Sequence, residues 1–148
     1  MSLEGRIVRM LEDSGIEYQC IGHEPVYTNP AMAEALAVAE GQTVKSLVLT
    51  TKEGEMIVLV LPGDRKADWK RAAAAAGTKK VSFAKPEAVL ETVGCEVGCV
   101  PPFGHGLAVY MERELAEKDK LYFNPGVHHK SFAISGMDLK AMCNPDFI

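Results

Sequence analysis

The sequence lacks a C-x-x-C pair, internal repeats, low-complexity tracts and any apolar run long enough to span a bilayer. Its four cysteines, Cys20, Cys95, Cys99 and Cys143, do not have the dense spacing of a disulfide-stapled scaffold, and no cleavable apolar leader precedes them. A reducing, cytoplasmic setting is therefore expected. The longest stretch free of charged residues runs from Val97 to Met111, and its two prolines and three glycines make it a loop and not a membrane span. Metal-ligand spacing is missing among the histidines and cysteines, so neither a metal nor another cofactor is expected.

What remains describes one soluble domain. The chain has 148 residues, 47% of them apolar, with 16 basic and 20 acidic side chains and a formal net charge of −4. A chain of this length removes about 70% of its unfolded-state surface from water, enough for a core without covalent staples. Net acidity argues against a nucleic-acid partner until the charges are placed. Between Arg65 and Lys85 lie seven basic residues and one acidic residue, leaving 9 basic and 19 acidic residues elsewhere. Such a segment can hold a polyanion while the acidic remainder suppresses promiscuous binding; an ordinary solvated helix face has the same composition.

Alternating helical and strand patterns run along the chain. Leu3, Ile7, Met10 and Leu11 recur at helical spacing, with Gly15 placed to stop the helix, and a short extended piece follows around Tyr18–Ile21. Asn29 is suited to cap a helix with Pro30 at its first position, running to Ala39 and ending at Gly41. Val44–Thr51 and Met56–Leu61 read as a hairpin, the second strand apolar throughout and so expected to be buried on both faces.

Pro62-Gly63-Asp64 then turns the chain into an alanine-rich helix ending at Gly77. Val81–Ala84 reads as a strand, Pro86–Val93 as a helix, and Gly94–Gly106 as a loop. Strands are expected near Leu107–Met111, Lys120–Phe123 and His129–Ser135, with a last helix from Met137 to Cys143 capped by Ser135. The pattern predicts an α/β (α+β) fold: one mixed, mostly antiparallel curved sheet with flanking helices, formed by residues 1–148 as one domain.

Four places carry candidate chemistry. Lys45 shares a strand face with Leu47 and Leu49, where an ammonium needs an anion or a route to solvent; phosphate binding and snorkelling at a strand end both satisfy it. The segment Gly98-Cys99-Val100-Pro101-Pro102-Phe103-Gly104-His105-Gly106 combines close backbone approach with fixed φ, which suits either a preset polar rim or a rigid connection. In Asn124-Pro125-Gly126-Val127-His128-His129-Lys130-Ser131, His128 and Ser131 are three apart and project to opposite faces of a strand, so they form no serine–histidine pair there. The polar loop His23-Glu24-Pro25-Val26-Tyr27-Thr28 suits a pocket lining or a surface turn.

Taken in order, these segments, with Thr43-Val44-Lys45-Ser46-Leu47-Val48-Leu49 and Leu61-Pro62-Gly63-Asp64-Arg65-Lys66, resemble the YbaK family of aminoacyl-tRNA deacylases, a domain also inserted in bacterial prolyl-tRNA synthetases. The resemblance spans roughly residues 3–143 and rests on several separated motifs. It implies a free-standing editing enzyme that hydrolyses the ester joining a wrong amino acid to the terminal adenosine of a tRNA. Alanine or cysteine on the tRNA for proline leads, and serine follows. Editing is needed because a synthetase pocket gains only about 1–3 kcal/mol from one methylene.

By the same resemblance Lys45 meets the phosphate or adenosine end, and Gly98 and Pro102 match a G-x-x-x-P loop whose backbone orients the aminoacyl group. His128 lines the substrate pocket, Ser131, Asn124 and Gly126 belong to the same motif, and Tyr27 and Thr28 of the His23–Thr28 segment are further candidate substrate-binding residues. The family is thought to need no dedicated acid or base, since the ribose 2′-hydroxyl helps position the attacking water. For the tRNA beyond its acceptor end the candidates are Lys66, Lys70 and Arg71, the two lysines one helical turn apart. A synthetase is the other expected partner. Two alternatives stay open: a non-catalytic module that binds aminoacyl-adenylate-like ligands or a synthetase, and a hydrolase of small aminoacyl esters that does not require tRNA.

Overall fold

The computed structural model describes residues 1–148. The helices are α1 (Leu3–Asp13), α2 (Asn29–Leu36), α3 (Trp69–Ala76), α4 (Pro86–Val93) and α5 (Gly136–Cys143). The strands are β1 (Gln19–Gly22), β2 (Val44–Thr51), β3 (Met56–Pro62), β4 (Val81–Phe83), β5 (Ala108–Met111), β6 (Leu121–Phe123), β7 (Lys130–Ile134) and β8 (Asp146–Phe147). They form two sheets where the pattern predicted one. A three-stranded antiparallel sheet has the order β1-β7-β6, and a five-stranded mixed sheet has the order β4-β2-β3-β5-β8. A single bridge between Thr43 and Tyr122 joins them.

The apolar run of β3 explains the layering. Ile57, Leu59 and Leu61 face α3 and pack with Leu49, Val81, Ala72 and Ala73. Val58 and Val60 face the other way, into a larger core with Ile7 and Leu11 of α1, Val89 of α4, Phe123, Phe132 and Leu139. Both faces of the strand are therefore covered, and each such side chain contributes about 1.5–3 kcal/mol on leaving water. Pairing across β2 and β3 is antiparallel from Val44↔Pro62 to Thr50↔Met56, as the hairpin pattern predicts. Pairing of β3 with β5 is parallel, made possible by the long crossover through α3, β4 and α4.

Local signals set most boundaries. Gly15 is left-handed at φ 67° and ends α1, and Gly77 ends α3 at φ 70°. Around α2 the expectation needs correcting. Thr28, not Asn29, is the cap, its hydroxyl accepting from the Ala31 amide at 3.2 Å, and the helix stops at Leu36, where Ala37 adopts the left-handed conformation. Asn29 does something else: its side-chain amide donates to Thr43 Oγ1 at 3.0 Å and to the Val44 carbonyl at 3.1 Å. The alanine-rich helix also starts later than the turn before it suggests, with Asp68 as its cap. Lys66 therefore lies ahead of the helix and does not share a helical face with Lys70.

The loop between α4 and β5 is fixed from within. His105 is buried; its Nε2–H donates to the Pro102 carbonyl at 3.2 Å, and its Nδ1 accepts from the Leu107 amide at 3.0 Å. Cys143 of α5 donates to the same Pro102 carbonyl at 3.3 Å, so Pro102 faces the core.

Two predictions follow from these contacts. A Cβ on Gly63 meets Thr43 Oγ1 at 2.0 Å, the Glu40 carbonyl at 2.8 Å and Asn29 Nδ2 at 2.9 Å, so Gly63→Ala forces the network apart. It should lower the urea-unfolding free energy by about 1–3 kcal/mol. Burial, opposed in part by the bond to Pro102, holds the pKa of His105 below its ordinary 6.5. The neutral ring's contribution is thus complete above about pH 6.5 and declines as pH falls toward the folded-state value. Urea midpoints measured between pH 7.5 and 5 should drop more steeply in the wild type than in His105→Gln; parallel slopes would assign the acid sensitivity to other groups.

Candidate active site

A cleft of about 610 Å³ opens where the start of α2, the strand β2, the end of β4 and the Gly98 loop converge. Of the residues singled out from the sequence, Tyr27, Thr28, Lys45, Gly98 and Asn124 line it. Pro102, Gly126, His128 and Ser131 stand behind its walls, outside the lining.

Lys45 occupies the face of β2 that carries Leu47 and Leu49, as period two requires. Its Nζ donates to the Arg65 carbonyl at 2.8 Å, in the turn before α3. No carboxylate lies within ion-pair distance of it. An ammonium carries three donors, so two stay available for an anion in the cleft.

Opposite, Gly98 has φ +97°, and a Cβ there meets the Tyr27 carbonyl at 3.2 Å. The position combines a left-handed backbone with a close crossing of two cleft segments, and glycine satisfies both. The N–H groups of Gly98 and Val100, both on the cleft wall, donate to no backbone acceptor. Behind them the Cys99 thiol is buried and donates to the Glu96 carbonyl at 3.3 Å and to the Gly126 carbonyl at 3.6 Å. Cys99 thus ties the Gly98 loop to the turn before β7.

His128 supports the wall from that turn. Its Nδ1–H donates to the Val26 carbonyl at 3.1 Å, and its ring lies 4.4 Å from that of Tyr27. Its Nε2 is buried without a hydrogen-bond partner, and Glu96 at 3.7 Å is beyond hydrogen-bond range. Asn124 Oδ1 is the other buried side-chain atom with no partner, and Asn124 borders the cleft.

Ser131 is paired after all, though not with His128. Its hydroxyl donates to His23 Nε2 at 2.8 Å, while His23 Nδ1–H donates to the Glu24 carbonyl at 2.8 Å. The two residues are 108 apart in sequence, so spacing within one strand gives no sign of them. Ser131 is fully buried and neither partner lines the cleft; the bond fastens the loop before α2 onto β7.

The basic stretch divides in two. Arg71 donates to Glu112 Oε1 at 3.3 Å, and Arg65 to Glu112 Oε2 at 3.3 Å and to Glu114. Glu112, buried and unmarked by any sequence motif, holds both guanidiniums, so Arg71, half exposed, already carries an ion pair. Lys66 and Lys70 are exposed and enter no ion pair.

Comparison with known proteins gives this geometry a lineage. The Multifunctional Ser/Thr-tRNA deacylase ProXp-y of Escherichia coli is 29% identical over 149 residues, 97% of this chain and 89% of its own length. A proline–tRNA ligase of Thermosipho africanus is 31% identical over 114 residues, which cover 76% of this chain and 18% of the ligase. Among solved structures, one described as a candidate trans-editing enzyme for prolyl-tRNA synthetase superposes with a TM-score of 0.87 at 25% identity, covering 100% of this chain and 96% of that one. The model of the aminoacyl-tRNA editing domain matches residues 23–142, and the chain belongs to that family.

Proposed function

We propose that the protein is a trans-editing aminoacyl-tRNA deacylase, acting in the cytoplasm on tRNA charged with a wrong small amino acid. The observation that carries this reading is the Lys45 ammonium, without a carboxylate partner, in the same cleft as the Gly98 wall. Alanine or cysteine on the tRNA for proline are the first substrates to test. Serine and threonine, named for the Escherichia coli relative, come next.

In this mechanism Lys45 binds the phosphate of the terminal adenosine through its two remaining donors. The Gly98 and Val100 amides orient the ester carbonyl and stabilise charge developing on its oxygen. Water, held beside the ribose 2′-hydroxyl, adds to the carbonyl carbon; the tetrahedral intermediate then expels the ribose 3′-oxygen, which leaves with a proton. Asn124 offers its amide to the aminoacyl group, Tyr27 and Thr28 close the opposite side, and His128 keeps Tyr27 in place. Pro102 acts through the backbone, by fixing the loop that carries Gly98. Positioning supplies most of the acceleration, since the ester is labile by itself.

Lys45→Ala should lower kcat/KM on mischarged tRNA by about 10–100-fold, the loss of one charge-assisted contact, with the circular dichroism spectrum unchanged. Undiminished turnover would remove the anchor from the mechanism. Free aminoacyl esters assayed beside aminoacyl-tRNA separate the alternatives: equal turnover of both marks a small-ester hydrolase, and none of either marks a binding module.

The tRNA beyond its terminal adenosine offers a second test. Contacts from Lys66 and Lys70 to phosphates give an affinity that falls with salt, and neutralising both should reduce the slope of log K against log salt by about 1–2. A slope indifferent to the substitutions assigns these lysines to solubility.

A further inference from the structure

Seven large apolar side chains remain exposed on the protein, and three of them, Tyr27, Phe83 and Val97, line the cleft described above. Phe83 is the most informative. It ends β4, the edge strand of the five-stranded sheet, and is 63% exposed. Its ring meets Trp69, the first residue of α3, edge-on at 4.9 Å and 85°. Trp69 is itself 38% exposed. An aromatic pair built from two elements and left in solvent beside a cleft is a surface awaiting a flat apolar partner.

The surrounding charge identifies that partner. Lys66 and Lys70 flank Trp69 and Lys85 follows Phe83; all three are exposed and none is in an ion pair. The arginines of the same stretch are held by Glu112, so its free positive charge is lysine charge, three of the five lysines lying next to the rings in sequence. Lysine is depleted where proteins meet proteins, whereas exposed aromatics among cations are the usual means of holding single-stranded nucleic acid. Phe83 borders the cleft while Trp69 lies outside its lining, so the pair leads from the cleft toward α3.

We infer that Trp69 and Phe83 form a stacking platform of two perpendicular rings, a corner in which an unpaired base preceding the terminal adenosine stacks on one ring and abuts the other, with Lys66, Lys70 and Lys85 holding the adjoining phosphates. This rests on the editing reading and adds to it the path of the 3′ strand. Stacking on a ring face tolerates any base, so the platform contributes affinity and register without reading sequence.

Trp69 is the single tryptophan, so its emission reports on the platform directly. Titration with an uncharged tRNA acceptor minihelix ending in CCA should quench it saturably, and the same minihelix lacking those three nucleotides should not. In Phe83→Ala the minihelix should bind about five- to tenfold more weakly, with Phe83→Tyr restoring affinity. In Trp69→Ala the ratio of kcat/KM on alanyl-tRNA to that on 3′-alanyl-adenosine should fall by a similar factor. Emission indifferent to the CCA end, as expected if the rings seat a protein, would overturn the inference. So would equal losses on both substrates, which mark a wall of the cleft. Quenching in a wild-type protein that deacylates no aminoacyl-tRNA would keep the platform and overturn the editing reading instead.

Discussion

The cleft depends on one crowded crossing. Thr43 is fully buried, and its hydroxyl both donates to the Glu40 carbonyl at 2.7 Å and accepts from Asn29 at 3.0 Å. Its carbonyl accepts from the Gly63 amide at 2.8 Å. Three stretches of chain, the start of α2, the entry to β2 and the exit from β3, thus meet at one residue. An unpaired polar group here would lose its water without replacement, so each bond fixes the position of the others. Lys45 follows two residues later along β2, and Thr28 caps the helix that begins at Asn29. Both sides of the cleft entrance are registered to the same buried hydroxyl.

Charge is organised with the same economy. Glu112 sits buried at the end of β5, where it draws in Arg65 and Arg71 and so sets the turn whose carbonyl, that of Arg65, receives the Lys45 ammonium. The acidic residue thereby steadies the lysine that lines the cleft, without touching it. Removing the two arginines from the pool of free cations leaves lysines, strongly hydrated point charges on flexible stems, for phosphate contact. A protein with a net charge of −4 can still hold a polyanion where basic residues cluster, as they do between Arg65 and Lys85.

The parts of this arrangement that were legible in the sequence are those written locally. The hairpin of β2 and β3, the double burial of β3 and the glycine stops at Gly15 and Gly77 follow from period and composition over a few residues. Lys45 was visible for the same reason, as a cation on an apolar strand face. The illegible parts depend on partners far apart in the chain. Asn29 reads as a cap by its type, yet Thr28 takes that role because the Asn29 amide is used 14 residues on. Glu112 meets Arg65 and Arg71 from 47 and 41 residues away, and His23 meets Ser131 from 108. The two-residue strand β8 pairs with β5 in parallel and is too short to leave a periodic trace. The family motifs are local runs in fixed order along the chain, whereas the bonds that support the site join distant residues.

The proposed site requires the Lys45 ammonium and the Gly98–Val100 amides to face the same bound acyl-nucleotide. The direct measurement is an amide and lysine-ammonium NMR titration with a non-hydrolysable 3′-aminoacylamino-3′-deoxyadenosine 5′-phosphate. Concerted, saturable shifts are expected at Gly98, Val100 and Lys45, with Thr28 moving beside them. Shifts gathered instead on the other side of the loop, around a separate, smaller cavity lined by Arg6, Met10, Phe103 and Leu107, with Lys45 and Gly98 unmoved, would contradict it.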